Sequence, residues 1–345
     1  MLCSSYRKIW VILCLGLSAA ACAEEAGGDT RRPGPWESTD AGNGREQDPA
    51  TVGDGDDEGD GDVRGAEGDN DGGGGDTDEF PLTDGGMSPH APDAMVASGR
   101  GACTVTPDAA RCDSQPVVSV TDRSVFWAKP VRNAPPGGYP AVILYQGSFF
   151  GPTVTWGVDL TTLTPFGGYF QVALVAKLLD QGFVVLQPEA LAGLAWTTNS
   201  GADFEGTPDY GFIKGILEKL EAGVFGPVDM SRVFATGISS GGYMTSRMAV
   251  SYPGKFRALA IQSGSYATCL GPVCSIPKPL PKDHPPTMFL HGGADVTVGI
   301  DTARAYEAEL KAEGFETKFV EDPNASHQWL DVAPEEIAAW FTKHL

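Results

Sequence analysis

Basic residues are scarce in this chain: 24 Lys and Arg stand against 45 Asp and Glu, a formal charge of −21 over 345 residues. No lysine- or arginine-rich stripe occurs, which excludes a nucleic-acid footprint and an electrostatic grip on anionic lipid. Long apolar runs are also missing. The run at residues 9–17 falls short of the roughly 20 residues a membrane helix needs. Cysteine is limited to seven, none in a C-x-x-C pair, so neither a disulfide-dense scaffold nor a thiolate metal site is indicated. Histidine numbers five, which narrows any search for a general base.

The acidity is concentrated. Residues 23–100 hold 21 Asp and Glu, 5 Arg and 18 Gly, a net of −16; residues 101–345 carry only −7. With few large apolar side chains, 23–100 cannot bury enough surface to offset the entropy of ordering, so it reads as a disordered, self-repelling tether. Within it, residues 56–67 nearly fit a calcium loop, with Asp56, Asp60, Gly61 and Glu67 in place. Glu58 occupies a position that calls for Asp or Asn, and no helix pattern flanks the stretch. It reads as linker.

Upstream, Arg7 and Lys8 precede the 9–17 apolar run and Ser18-Ala19-Ala20-Ala21-Cys22, the pattern of an export signal. Cys22 after three alanines resembles a lipoprotein signal, whose lipidation would give a membrane anchor; ordinary cleavage after Ala21 or Ala23 is the alternative. Beyond the signal remain Cys103, Cys112, Cys269 and Cys274. On an exported chain these two locally close pairs read as disulfides 103–112 and 269–274 that staple loops.

Residues 101–345 alternate strands and helices. Residues 116–131 read as an opening antiparallel pair, and 141–145 is a continuous apolar run suited to a strand buried on both faces. Further strands are expected at 183–186, 232–236, 258–262, 287–290 and 317–320. Helices are expected at 168–181, 210–222, 242–251, 301–313 and 334–344. The alternation predicts an α/β domain with a mainly parallel sheet and helices on both faces, its site at the carboxyl ends of the strands.

Gly237-Ile238-Ser239-Ser240-Gly241 falls between a strand and a helix, the context that a G-x-S-x-G nucleophile elbow requires. Ser239 is the candidate nucleophile. Among the histidines, His90 lies in the tether, His344 one residue from the end and His284 in a proline-rich loop. His291 directly follows a strand and reads as a packed, hydrogen-bonded side chain. His327, beyond the 317–320 strand at the expected edge, is the candidate base. Asp295, on the loop after strand 287–290, is the candidate acid. Its competitors read otherwise: Asp301 as a helix cap, Asp322 as part of a turn before Pro323. The backbone N–H of Ser240 is one candidate oxyanion donor, and either Gly147 or Ser148 supplies the other. Phe149, Phe150, Trp156, Trp196 and Tyr266 are candidate substrate contacts or core packing. No metal or organic cofactor is implied.

Over residues 117–345 the chain resembles the α/β-hydrolases. More narrowly, 237–243 (Gly-Ile-Ser-Ser-Gly-Gly-Tyr), 263–269 (Ser-Gly-Ser-Tyr-Ala-Thr-Cys) and 284–287 (His-Pro-Pro-Thr) resemble extracellular polyhydroxyalkanoate depolymerases of the medium-chain-length type. That resemblance implies an α/β-hydrolase fold and a serine esterase that cuts 3-hydroxyacyl ester bonds with Ser239, Asp295 and His327. The implied partner is a hydrophobic polyester. Rival expectations are a feruloyl, cutinase-like or short-chain polyhydroxybutyrate esterase and, in another class, a non-catalytic surface lipoprotein using the fold for adhesion. The long acidic tether departs from a simple secreted form.

Overall fold

The computed structural model describes residues 103–152, 156, 165–198, 203–269 and 274–345. The leader, Cys22, the 23–100 tether and its 56–67 loop lie outside the described residues.

A hairpin opens the described chain: β1 (Cys103–Val105) pairs antiparallel with β2 (Ala110–Cys112), closed by the Cys103–Cys112 disulfide. Each strand has three residues, too short for any periodicity to announce it. The remaining strands form one eight-stranded sheet: β3 (Val118–Val120), β4 (Arg123–Ala128), β5 (Tyr139–Tyr145), β6 (Val184–Pro188), β7 (Val228–Ile238), β8 (Ala258–Gln262), β9 (Thr287–Gly292) and β10 (Thr317–Asp322). Their spatial order is β3-β4-β6-β5-β7-β8-β9-β10. β3 and β4 pair antiparallel, as does β4 with β6, and every other pairing is parallel.

The helices are α1 (Gly168–Gln181), α2 (Pro208–Glu221), α3 (Ser240–Ser251), α4 (Ile300–Ala312) and α5 (Ala333–Lys343). Alternation along the strands assigns them to faces. Val142 and Leu144 of β5 pack with α1 and α5, whereas Ala141, Ile143 and Tyr145 pack with α2 and α3. All seven residues of β5 are buried, as a central parallel strand requires. α1 ends where Gly182 turns left-handed at φ 96°, which frees its N–H for the last carbonyls of the helix. This is an α/β-hydrolase fold. The expected elements are all present, with ends displaced by a few residues.

One local reading is corrected. Asp301 does not cap α4: Gly299 occupies the cap position, and Asp301 sits in the first turn with its carboxylate 3.2 Å from Arg304. A carboxylate there still favours the helix dipole. The second disulfide, Cys269–Cys274, closes as expected in the loop before β9.

Candidate active site

The elbow is made by backbones too close for side chains. A Cβ on Gly237 would lie 2.6 Å from the carbonyl oxygens of Tyr145 and Gly241; on Gly241 it would lie 2.2 Å from the Tyr145 oxygen. Between them, Ser239 is held at φ 56°, ψ −120°, a conformation that a residue with a side chain adopts only under constraint. The constraint is visible: Ser239 N–H donates to Gln262 O (3.1 Å), and Ser239 O accepts from Tyr243 N–H (3.0 Å). The hydroxyl is thereby carried at the tip of β7, half-exposed, beside the N-terminus of α3.

Asp295 and His327 come from neighbouring strand ends pressed together backbone to backbone. Gly293 N–H donates to Asp322 O (2.7 Å) and Ala294 N–H to Ala325 O (3.0 Å). A Cβ on Gly292 would stand 2.3 Å from the Ala325 oxygen. The His327 loop is fixed from the other side by Gln262, whose amide donates to Gln328 O (2.8 Å) and accepts from Leu330 N–H (3.3 Å). In the result, His327 Nδ1 lies 2.7 Å from Asp295 Oδ2. An ionised carboxylate only accepts, so Nδ1 carries the hydrogen and the neutral ring keeps Nε2 free to accept a proton.

The other carboxylate oxygen of Asp295 accepts from Thr297 and Val298 N–H, both at 2.9 Å. Burial by itself would raise this carboxyl. Hydrogen bonds from His291 and His327, the charge that His327 carries once protonated and the Val298 N–H outweigh it and hold the group well below the usual carboxylate range. His291 packs as expected, fully buried, with Nε2 2.8 Å from Val298 O and 3.4 Å from Asp295 Oδ2.

The remaining candidates fall elsewhere. Asp322 accepts from Asn324 N–H (2.9 Å) in its turn. His284 is buried against Tyr306 (2.8 Å), and His344 bonds Trp340 O (2.8 Å) and Glu316 (3.2 Å). His90 lies outside the described residues. Gly147 approaches Ser239 closely, since a Cβ on it would be 3.9 Å from Ser239 Cβ; Ser148 is half-exposed beside it. Ser240 opens α3, where the first N–H groups have no partner within the helix.

Three of the five proposed contact aromatics are interior packing. Trp156, Trp196 and Tyr266 are at most 5% exposed. Trp156 Nε1–H donates to Gln187 Oε1, Trp196 Nε1–H donates to Gln146 O, and Tyr266 packs edge-on against Tyr306. Their loop positions suggested the surface, but each ring has an interior partner. Phe149 is 44% exposed. Phe150 is half-buried, edge-on to Phe166 at 5.1 Å, and Phe166 is in turn edge-on to His327 at 6.0 Å. Phe166 is the site-lining residue that sequence reasoning missed, and Pro165-Phe166-Gly167 carries no pattern that would have marked it.

No family model matches the chain. It is 46% identical to a poly(3-hydroxyoctanoate) depolymerase of Pseudomonas fluorescens over 228 residues, 65% of this chain and 81% of that one. It is 34% identical over 106 residues to acetylxylan esterase A of Aspergillus awamori, covering 30% of this chain and 34% of that one. Among solved structures, a truncated carbohydrate esterase from gut microbiota aligns with TM-score 0.49 and 16% identity over 68% of this chain and 96% of that chain. A thermostable esterase aligns with TM-score 0.45 and 18% identity over 67% and 60%.

Proposed function

We propose, for a chain that belongs to the poly(3-hydroxyoctanoate) depolymerase family and is thereby a carboxylic ester hydrolase, that Ser239, His327 and Asp295 cleave medium-chain-length poly(3-hydroxyalkanoate) by acyl transfer. The observation that carries the reading is the 2.7 Å contact of His327 Nδ1 with Asp295 Oδ2 at the same sheet edge as the strained Ser239. His327 Nε2 takes the hydroxyl proton as Ser239 Oγ attacks the ester carbonyl. The oxyanion is held by Ser240 N–H and an N–H of the 147–148 segment. The carbonyl re-forms as the alcohol half leaves with the proton from His327, and water then repeats the sequence on the acyl-enzyme.

Medium-chain preference is supported by the P. fluorescens relative, by the Phe150 and Phe166 rings that lead to His327, and by the exposed Phe149 next to Phe150 in the chain. Export belongs to the same reading: a polymer granule outside the cell is reached only by an exported protein, and the leader and two disulfides suit that route.

The test is release of 3-hydroxy acids from poly(3-hydroxyoctanoate) and poly(3-hydroxybutyrate) side by side by the full chain, with Ser239→Ala as control. Cleavage of the octanoate polymer, abolished in the variant, is expected. Hydrolysis of soluble nitrophenyl esters with neither polymer attacked would sink the depolymerase assignment; full activity in Ser239→Ala would sink the nucleophile.

A further inference from the structure

The segment from Glu189 to Thr197 touches both sides of the nucleophile. Gln146, directly before the Gly147–Ser148 pair, is clamped by it at three atoms. Trp196 Nε1–H donates to Gln146 O (3.0 Å), Ala190 N–H donates to Gln146 Oε1 (3.0 Å), and Gln146 Nε2 donates to Gly193 O (3.2 Å). Phe149 N–H then donates to Leu194 O (2.7 Å), so the 147–148 backbone is pinned before and after. On the other side, Trp196 N–H donates to Ser240 Oγ (2.9 Å). One residue therefore holds Gln146 with its indole and Ser240 with its backbone.

The segment is itself closed at its base by an interior ion pair. Arg123 donates to Glu189 O through Nε (3.0 Å) and a terminal nitrogen (2.7 Å), and its other terminal nitrogen lies 2.6 Å from Asp209 Oδ1. Asp209 Oδ2 accepts from both N–H and Oγ1 of Thr197, each at 2.6 Å. The Asp209 side chain is fully buried and that of Arg123 is 10% exposed. The guanidinium lies 3.8 Å from the Phe212 ring centroid and 5.2 Å from that of Trp196. Two charges removed from water in this way are not an economical source of stability. What they do is tie the first and last residues of the 189–197 segment to one fixed point.

The geometry points to Trp196 as a positioning residue that sets the spacing of the two oxyanion donors, with Arg123–Asp209 as the latch that keeps its loop in place. This inference rests on Ser239 as nucleophile and Ser240 N–H as one donor. The Trp196 side chain is 4% exposed and the latch is interior, so neither is assigned contact with the ester. Their effect is on where the Ser240 and 147–148 N–H groups stand when the carbonyl oxygen becomes charged, and misplacement of about 1 Å is enough to cost on the order of 10²-fold in rate.

Trp196→Phe keeps the ring between Tyr145 and Phe212 but loses the N–H to Gln146; Ser240→Ala keeps the backbone donor but loses the acceptor of Trp196 N–H. Each is measured in the full chain with 4-nitrophenyl octanoate and with an aliphatic trifluoromethyl ketone. Ser239 Oγ adds to the carbonyl of that ketone, giving its proton to His327, and the adduct oxyanion occupies the hole. The expected result is a kcat about 10- to 100-fold lower with KM changed less than about twofold. The ketone Ki should rise by the factor that kcat/KM falls, and Ser240→Thr, which retains a hydroxyl, should recover most of the loss. Wild-type kcat and Ki in both folded variants would overturn the proposal, as would a kcat loss without any change in Ki. Undiminished turnover by Ser239→Ala would instead overturn the nucleophile assignment on which it rests.

Discussion

Gly292→Ala tests how Asp295 and His327 are brought together. The glycine ends β9, in register with Asp322 of β10. An added Cβ would stand 2.3 Å from Ala325 O and 2.5 Å from Ser326 O, against about 3.4 Å for ordinary contact. A separation near 1 Å must therefore open between two backbones, and no side-chain rotation can supply it. β9 is paired on both sides, to β8 and β10, so the 325–327 turn is the part that yields. Its retreat lengthens the 3.0 Å Ala294–Ala325 hydrogen bond and the 2.7 Å His327–Asp295 contact. A shift of that size predicts kcat/KM toward a soluble ester lower by about 10²-fold. The accompanying overpacking costs about 1–3 kcal/mol. Gly211→Ala is the control: its Cβ meets nothing within 4 Å on an exposed position of α2. There alanine should add about 0.5–1 kcal/mol of stability and leave activity alone. Kinetics, fluorophosphonate labelling rates of Ser239 and thermal melts read all three effects. Wild-type kcat/KM in a folded Gly292→Ala protein would refute the claim that these backbones set the His327–Asp295 geometry.

Phe149→Ala should slow clearing of a poly(3-hydroxyoctanoate) suspension severalfold while leaving 4-nitrophenyl acetate hydrolysis within about twofold, because the proposed role of its exposed ring is to meet polymer and not the reacting ester. Equal loss on both substrates would count against that role. His284, 5% exposed, has its pKa lowered by burial to about 4. Pro285 O can only accept, so the neutral ring donates through Nδ1 and takes the Tyr306 hydroxyl hydrogen at Nε2. Its unfolded pKa is higher, near 6.5, so the contribution is fully present above that pH and is lost as pH falls toward 4, about 3 kcal/mol in all. Denaturant melts of His284→Asn should show a shallower decline across that window, and an unchanged slope would contradict the assignment.

Much of this architecture was legible along the chain because it is local. β5 announces itself as an unbroken apolar run, α1 by its spacing and its closing Gly182, and the elbow by glycines flanking Ser239. Asp295 and His327 could be singled out because each follows an expected strand, in the chain order Ser, Asp, His that such an elbow calls for. What the chain left open or unmarked has a common physical origin. Trp156, Trp196 and Tyr266 sit in loops, and only tertiary contacts show that their rings point inward. Arg123 and Asp209 lie 86 residues apart, and charged side chains are ordinarily solvated, so nothing local marks them as an interior pair. The β1–β2 hairpin depends on its disulfide and on packing against α1, not on a strand pattern.

Gly292 joins these cases to the elbow. At Gly237, Gly241 and Gly292 the chain achieves its geometry by bringing backbones closer than a methyl group permits. Such positions respond to mutation differently from the sheet interior. Trimming Ile143 or Leu144 removes apolar contacts that neighbours can partly refill, with a cost read mainly in stability. Adding one carbon at Gly292 displaces a turn whose register fixes a hydrogen bond to the proposed base, with a cost read mainly in rate. The sheet thus carries the stability of the domain, while the proposed catalysis at its carboxyl edge rests on a few contacts between loops. A library of single substitutions scored separately for melting temperature and for ester turnover should divide along that line. Activity lost at unchanged stability should concentrate at strand-end glycines and at the 189–197 segment, and scarcely appear along β5 or β8.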